Sequence, residues 1–203
     1  PIVVVQNITV ELDAEGAASI VVADIDNGSL DNCSITSMTL DVTDFDCNDV
    51  GENMVTLTVT DVNGNSNTET ATVTVVDAIL PTVIVQDLTV ELDAEGVASI
   101  VVADIDNGSL DNCGIASMSL DITSFECTLV GENTVVLTVT DVNGNSSNAT
   151  ATVTVLDTVV PIVSTVAPFT LALDNTGNAA IVVADIDNGS SDNCGIASMS
   201  LDV

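Results

Sequence analysis

Apolar and polar residues alternate along much of this chain. Ile8, Val10 and Leu12 alternate with Thr9, Glu11 and Asp13; Val55, Leu57 and Val59 with Thr56, Thr58 and Thr60; Ala71, Val73 and Val75 with Thr70, Thr72 and Thr74. A period of two describes a strand with one face in a core and the other in water. Between the last two runs lies Asp61-Val62-Asn63-Gly64-Asn65-Ser66, and Asn-Gly between alternating runs predicts a tight hairpin. No stretch of helical length carries the 3.6-residue apolar period.

The pattern repeats. Pro1, Pro81 and Pro161 are 80 residues apart, and Asp31-Asn32-Cys33 returns as Asp111-Asn112-Cys113. Its third copy, Asp192-Asn193-Cys194, is displaced by 81, one residue being inserted between Pro161 and Phe169. The chain therefore divides into modules at 1–80, 81–160 and 161–203, the last incomplete and expected to continue. With further runs at 19–23 and 37–42, each complete module should hold about five to seven strands, the number of a two-sheet sandwich. The expectation is all-β: tandem immunoglobulin-like β-sandwich modules of about 80 residues in an extended rod.

Charge changes the picture. The chain has 31 Asp and Glu and no Lys, Arg or His, a formal charge of −31. No internal salt bridge can form except through the amino terminus, so a folded state needs cations, salt or a basic partner. Nucleic acid is excluded as a partner, and anionic membrane surfaces are disfavoured. Because 46% of residues are hydrophobic, acidity here does not mean disorder. Apolar runs such as Ile2–Val5 and Ile20–Ala23 are far too short for membrane insertion. Catalysis lacks its usual groups: there is no His, Lys, Tyr or Trp, and no nucleophile elbow. An enzyme is not expected.

Two features remain as candidate chemistry. Cys33 and Cys47, and Cys113 and Cys127, keep one separation of 14, while Cys194 has no such mate. The expected bridges are Cys33–Cys47 and Cys113–Cys127, which would place the protein in an oxidising compartment; buried free thiols are the alternative. Zinc is disfavoured, since there is neither His nor C-x-x-C. The acidic loop with Asp24, Asp26 and Asp31 recurs as Asp104, Asp106, Asp111 and as Asp185, Asp187, Asp192. The turns Asp61-x-Asn63-x-Asn65 and Asp141-x-Asn143-x-Asn145 have the same character. Clustered oxygen donors around glycine turns suit calcium, with local backbone bonding of Asp and Asn as the plainer reading. The EF-hand motif is rejected, its final Glu and flanking helices being absent. In a sandwich the closing Asp of one module reaches the loops of the next. Asp77 should then meet Asp104, Asp106 and the Asp141–Asn145 turn, and Asp157 should meet Asp185 and Asp187, clamping the modules through calcium.

The text DNCGIASMSLDITSFECTLVGENTVVLTVTDVNGNSSNATATVTVLD at 111–157, with its counterpart at 31–77, resembles the HYR-type immunoglobulin-like repeats of Bacteroidota surface arrays. The resemblance covers the whole chain. It implies a secreted or cell-surface stalk or filament segment of a repetitive adhesin, exported by the type IX system, with neighbouring repeats as its partners. Relatives often carry a further Cys before the last strand; Thr68-Glu69 and Asn148-Ala149 stand there instead, so a second bridge of that kind is absent. Asp157-Thr158-Val159 is similar to the O-glycosylation site of such bacteria, making Thr158 a candidate glycan carrier. Two rival readings stay open: spacer modules of a secreted hydrolase, and a polymerising filament subunit whose last module is completed by a strand from another copy. The adhesive target is not legible in the residues.

Overall fold

The computed structural model describes residues 1–202. The first repeat consists of β1 (Ile8–Glu11), β2 (Ala17–Ser19), one helical turn α1 (Val22–Ile25), β3 (Ile35–Leu40), β4 (Asp44–Asp46), and two long strands, β5 (Gly51–Asp61) and β6 (Ser66–Val76). These make a four-stranded sheet in the order β1-β6-β5-β3 and a two-stranded sheet β2-β4. β1 runs parallel to β6, while β5 is antiparallel to both β6 and β3. The second repeat has β7 (Leu88–Glu91), β8 (Val97–Ser99), α2 (Val102–Ile105), β9 (Ile115–Leu120), β10 (Ser124–Glu126), β11 (Gly131–Asp141) and β12 (Ser146–Leu156). Its sheets, β7-β12-β11-β9 and β10-β8, have the same order. The fold is all-β, a tandem of immunoglobulin-like sandwiches.

Alternation decides which faces meet. On β5 and β6, Val55, Leu57, Val59, Ala71, Val73 and Val75 are fully buried, and the threonines between them are not. They pack with Leu12, Ile20, Ile25 and Phe45 in one core. The predicted hairpin is present at 62–65: Asp61 N–H donates to the Asn65 carbonyl (3.0 Å), and Gly64 N–H to the Asp61 carbonyl. Gly64 has φ +87, a value that costs a glycine little.

The run at 19–23 does not form one strand. β2 ends at Ser19, and a helical turn begins at Val22, fastened by the Asp24 carboxylate accepting from Val21 N–H (2.7 Å). Four residues are too few for a helical period to be visible in the sequence. The same turn recurs as α3 (Val183–Ile186) in the third repeat. Leu12 and Leu92 are each 3% exposed.

The chain forms two compact units. One comprises Pro1–Ile84 with Gly108–Ser119 and Thr138–Asn148; the other comprises Val85–Asn107, Leu120–Leu137 and the chain from Ala149 onward. The first unit is thus the first repeat together with the Asp-Asn-Cys loop and hairpin tip of the second.

The disulfides differ from expectation. Cys33–Cys47 and Cys113–Cys127 do not form; Cys47 is bonded to Cys113, and Cys127 to Cys194, with Cα–Cα distances of 5.3 and 5.2 Å. Cys33 is free and exposed. The reason is the strand between the cysteines. Cys33 precedes β3, and six residues at about 3.3 Å each carry the chain about 20 Å away, beyond the roughly 7 Å Cα separation a bridge tolerates. Each bridge therefore joins successive repeats. No helix among the described residues is long and apolar enough to cross a membrane, which says nothing of strands.

Candidate metal centre at Asp77, Asp111 and Asp141

Three carboxylates from two repeats converge in the first unit. Asp77 follows the last residue of β6, Asp111 opens the Asp-Asn-Cys loop, and Asp141 ends β11. One oxygen from each lies within 4.8 Å of the other two. The strand order explains the meeting: β6 delivers Asp77, and the β11–β12 turn delivers Asp141. The Asn145 side chain ties the two, its Nδ2 donating to the Asp77 carbonyl (3.1 Å) and to Asp141 Oδ2 (2.7 Å).

Each side chain spends some of its acceptor capacity on the backbone. Asp77 Oδ1 accepts from Ile79 N–H (3.1 Å) and from Asn112 Nδ2 (3.2 Å). Asp111 Oδ1 accepts from the N–H groups of Cys113 (2.9 Å) and Gly114 (3.0 Å). Asp141 Oδ1 accepts from Asn143 and Asn145 N–H, each at 2.8 Å. Burial pushes the Asp141 carboxyl up, yet the Asn145 amide and the N–H groups of Asn145, Asn143 and Gly144 outweigh it and hold the group below its usual value. It is an anion at neutral pH, 1% exposed.

The remaining oxygens are the informative ones. Asp77 Oδ2, Asp111 Oδ2 and Asn112 Oδ1 are buried with no hydrogen-bond partner, and Asp77 is only 9% exposed. A buried acceptor left alone costs about 1–3 kcal/mol, more when charged. At 4.8 Å, each carboxylate pair repels by about 3–4 kcal/mol at an effective dielectric of ~20. No Lys, Arg or His exists in the chain to offset this. The donors are all oxygen, hard and anionic, the set suited to calcium. Asp77, Asp111 and Asp141 would hold such an ion, with Asn112 beside them.

The other expected ligands also make local bonds. Asp104 and Asp185 cap their helical turns, accepting from Val101 (2.8 Å) and Val182 (2.9 Å) N–H as Asp24 does from Val21. Asp26 and Asp187 close the following turn through Ser29 and Ser190 N–H, each at 3.0 Å; Asp106 stands at the end of α2. These loops use Asp for local backbone bonds, and the acid found with Asp77 and Asp141 is Asp111. Asp61 accepts from Asn65 Nδ2 (2.8 Å) and from Asn63 N–H. Asp31 Oδ1 accepts from Cys33 N–H (2.8 Å). Asp157 accepts from Val159 N–H (3.2 Å). Asp192 and Asn193, the counterparts of Asp111 and Asn112, again carry buried partnerless oxygens. Thr158 is exposed and donates to Glu91 Oε2 (3.3 Å).

Asn112 and Asn193 were not anticipated. Asn112 Nδ2 also donates to the Asp13 carbonyl (3.2 Å), and Asn193 Nδ2 to that of Asp93 (3.0 Å). Beneath each bridge lies a glycine, Gly16 or Gly96. A Cβ on either would fall 2.7 Å from the bridging sulfur and 3.1 Å from the asparagine carbonyl. The recurrence of Asp-Ala-Glu-Gly at 13–16 and 93–96 was the available signal.

No family model matches this chain, and no characterised protein matches it in sequence. Among solved structures it is similar to the protocadherin GammaB4 extracellular domain, at 15% identity and a TM-score of 0.38 over 82% of this chain and 34% of that one. It is similar also to human CDH23 EC21-23, at 14% identity and a TM-score of 0.39, covering 92% and 83%. A third likeness is to the fibronectin(III)-like modules of Clostridium thermocellum CbhA, at 11% identity and 0.31, covering 75% and 91%. The chain spans 34% and 54% of the first two protocadherin chains it matches.

Proposed function

We propose that this chain is a stalk segment of a repetitive extracellular surface adhesin, in which calcium and a disulfide together lock one repeat to the next. The observation carrying the proposal is the convergence of Asp77, Asp111 and Asp141 within 4.8 Å with two of their oxygens buried and partnerless. A divalent ion would offset two of the cluster's three negative charges and supply those oxygens with a ligand bond. Inter-repeat bridges support an oxidising, extracellular setting. Tandem modules with no catalytic side-chain set suit a mechanical role: the repeats bear a functional tip elsewhere, and the locked joint resists bending.

Titration calorimetry with calcium chloride tests this. Extracellular calcium modules bind at about 10⁻⁴–10⁻³ M, and the intact chain should do so. Asp77→Asn, which keeps the shape and removes one charge, should weaken the tightest site at least tenfold. Chelation should lower the melting temperature and broaden the scattering profile. No saturable binding at ~10 mM calcium, well above that affinity range, would sink the metal reading.

A further inference from the structure

Cys33 is the one sulfur among the described cysteines without a bond. It belongs to a loop whose two other copies are both bonded. Cys113 and Cys194 follow the same Asp-Asn pair, and each is joined to a cysteine of the repeat before it. The loop is built alike in all three: Asp31 Oδ1 accepts from Cys33 N–H (2.8 Å), as Asp111 does from Cys113 (2.9 Å) and Asp192 from Cys194 (2.9 Å). What differs is cover. Asn32 and Cys33 are exposed, whereas Asn112, Cys113, Asn193 and Cys194 are half-buried against a preceding Asp-x-x-Gly turn.

We propose that Cys33 is a disulfide acceptor for a further repeat of this kind, docked ahead of the first through a cysteine equivalent to Cys47. The docked surface is specified by the two bonded joints. Asn32 Nδ2 donates to the first carbonyl of the incoming Asp-x-x-Gly turn, as Asn112 does to Asp13. The glycine of that turn leaves room for the sulfur, since a Cβ on Gly16 or Gly96 would crowd it. Ordinary thiols lack both features, so the site discriminates between a repeat and a small thiol. The step is a two-electron oxidation. The Cys33 thiol and the incoming thiol lose two protons and two electrons to a small-molecule disulfide, which leaves as two thiols, and one S–S bond forms. This inference is independent of calcium.

The test extends the intact chain by one added copy of residues 1–80 placed before Pro1. That copy carries Cys33→Ser, so that no thiol is left over, and Asn48→Gln, to mark the peptide holding its Cys47 by mass. After refolding with glutathione disulfide, iodoacetamide should label no cysteine, and non-reducing peptide mapping should show Cys33 linked to the marked Cys47. In the chain without the added copy, iodoacetamide should label Cys33 alone. Asn32→Ala in the extended chain should slow bond formation about fivefold, the worth of one neutral hydrogen bond. Cys33 remaining open to iodoacetamide while Cys47–Cys113 and Cys127–Cys194 form would overturn the proposal. So would Cys33 appearing only as a glutathione adduct, or bonded to Cys33 of another molecule. In protein taken from its source, a blocked Cys33 whose reduction lowers the mass assigns the partner repeat to another molecule; an unchanged mass assigns it to the same polypeptide.

Discussion

Ser34 sits at φ +123, where its counterparts are Gly114 and Gly195, at +104 and +95. The conformation is set by the loop: Asp31 Oδ1 accepts from Cys33 N–H and, at 3.3 Å, from Ser34 N–H, and the Ser34 carbonyl accepts from Val62 N–H (3.1 Å). A side chain there bears strain of about 1–3 kcal/mol, which a glycine avoids at some cost in unfolded-state entropy. Ser34→Gly should raise unfolding stability by about 1 kcal/mol, read as a higher denaturant midpoint at unchanged slope. An unchanged or lower midpoint would show that the loop accommodates serine without strain. At the same scale, the metal reading depends on single oxygens: Asp77 Oδ1 is occupied by hydrogen bonds, and Oδ2 is not.

At the scale of elements, the long β5–β6 hairpin organises each sandwich. Ten register pairs run from Gly51–Val75 to Thr60–Ser66, and alternate residues of both strands line the core. A one-residue slip would put Thr56, Thr58 and Thr60 inward, which fixes the register strongly. Leu57 is fully buried; Leu57→Ala should cost about 2–5 kcal/mol through lost burial and a cavity, whereas Thr58→Ala, on the wetter face, should stay within about 0.5 kcal/mol. Urea melts of the two variants decide this, and equal effects would mean that the alternation does not divide core from solvent.

At the scale of the molecule, charge and covalent links act together. No Lys, Arg or His stands against the 31 acidic residues, so the chain's own side chains do not offset a formal charge of −31. Raising sodium chloride from about 0.01 to 0.15 M shortens the screening length from about 30 to 8 Å. In chelator, this change should raise the melting temperature by several degrees, since about 1 kcal/mol moves a small domain by about 4–8 °C. A flat salt response would mean that the acidic residues are too dispersed to oppose folding. The bridges offset this repulsion. Each closes a loop of 66 or 67 residues, which the chain-entropy relation values at about 4 kcal/mol, more than a bridge within one repeat would contribute.

The residues alone specified the β alternation, the Asn-Gly hairpin, the 80-residue period and an acidic excess that no side chain of the chain can offset, because each follows from local spacing or from composition. They also pointed to Asp77 and the Asp141 turn, since strand direction delivers both to one place. They did not specify which cysteines meet. Equal spacing within repeats suggested a bridge inside each, but β3 carries Cys47 away from Cys33 and toward Cys113. Nor could they tell which aspartates cluster and which cap: Asp104 and Asp111 are seven residues apart, yet Asp104 turns back onto Val101 N–H while Asp111 meets Asp77 and Asp141. Those outcomes depend on which chain ends the two sandwiches bring together, a matter of distance through space that spacing along the sequence does not encode.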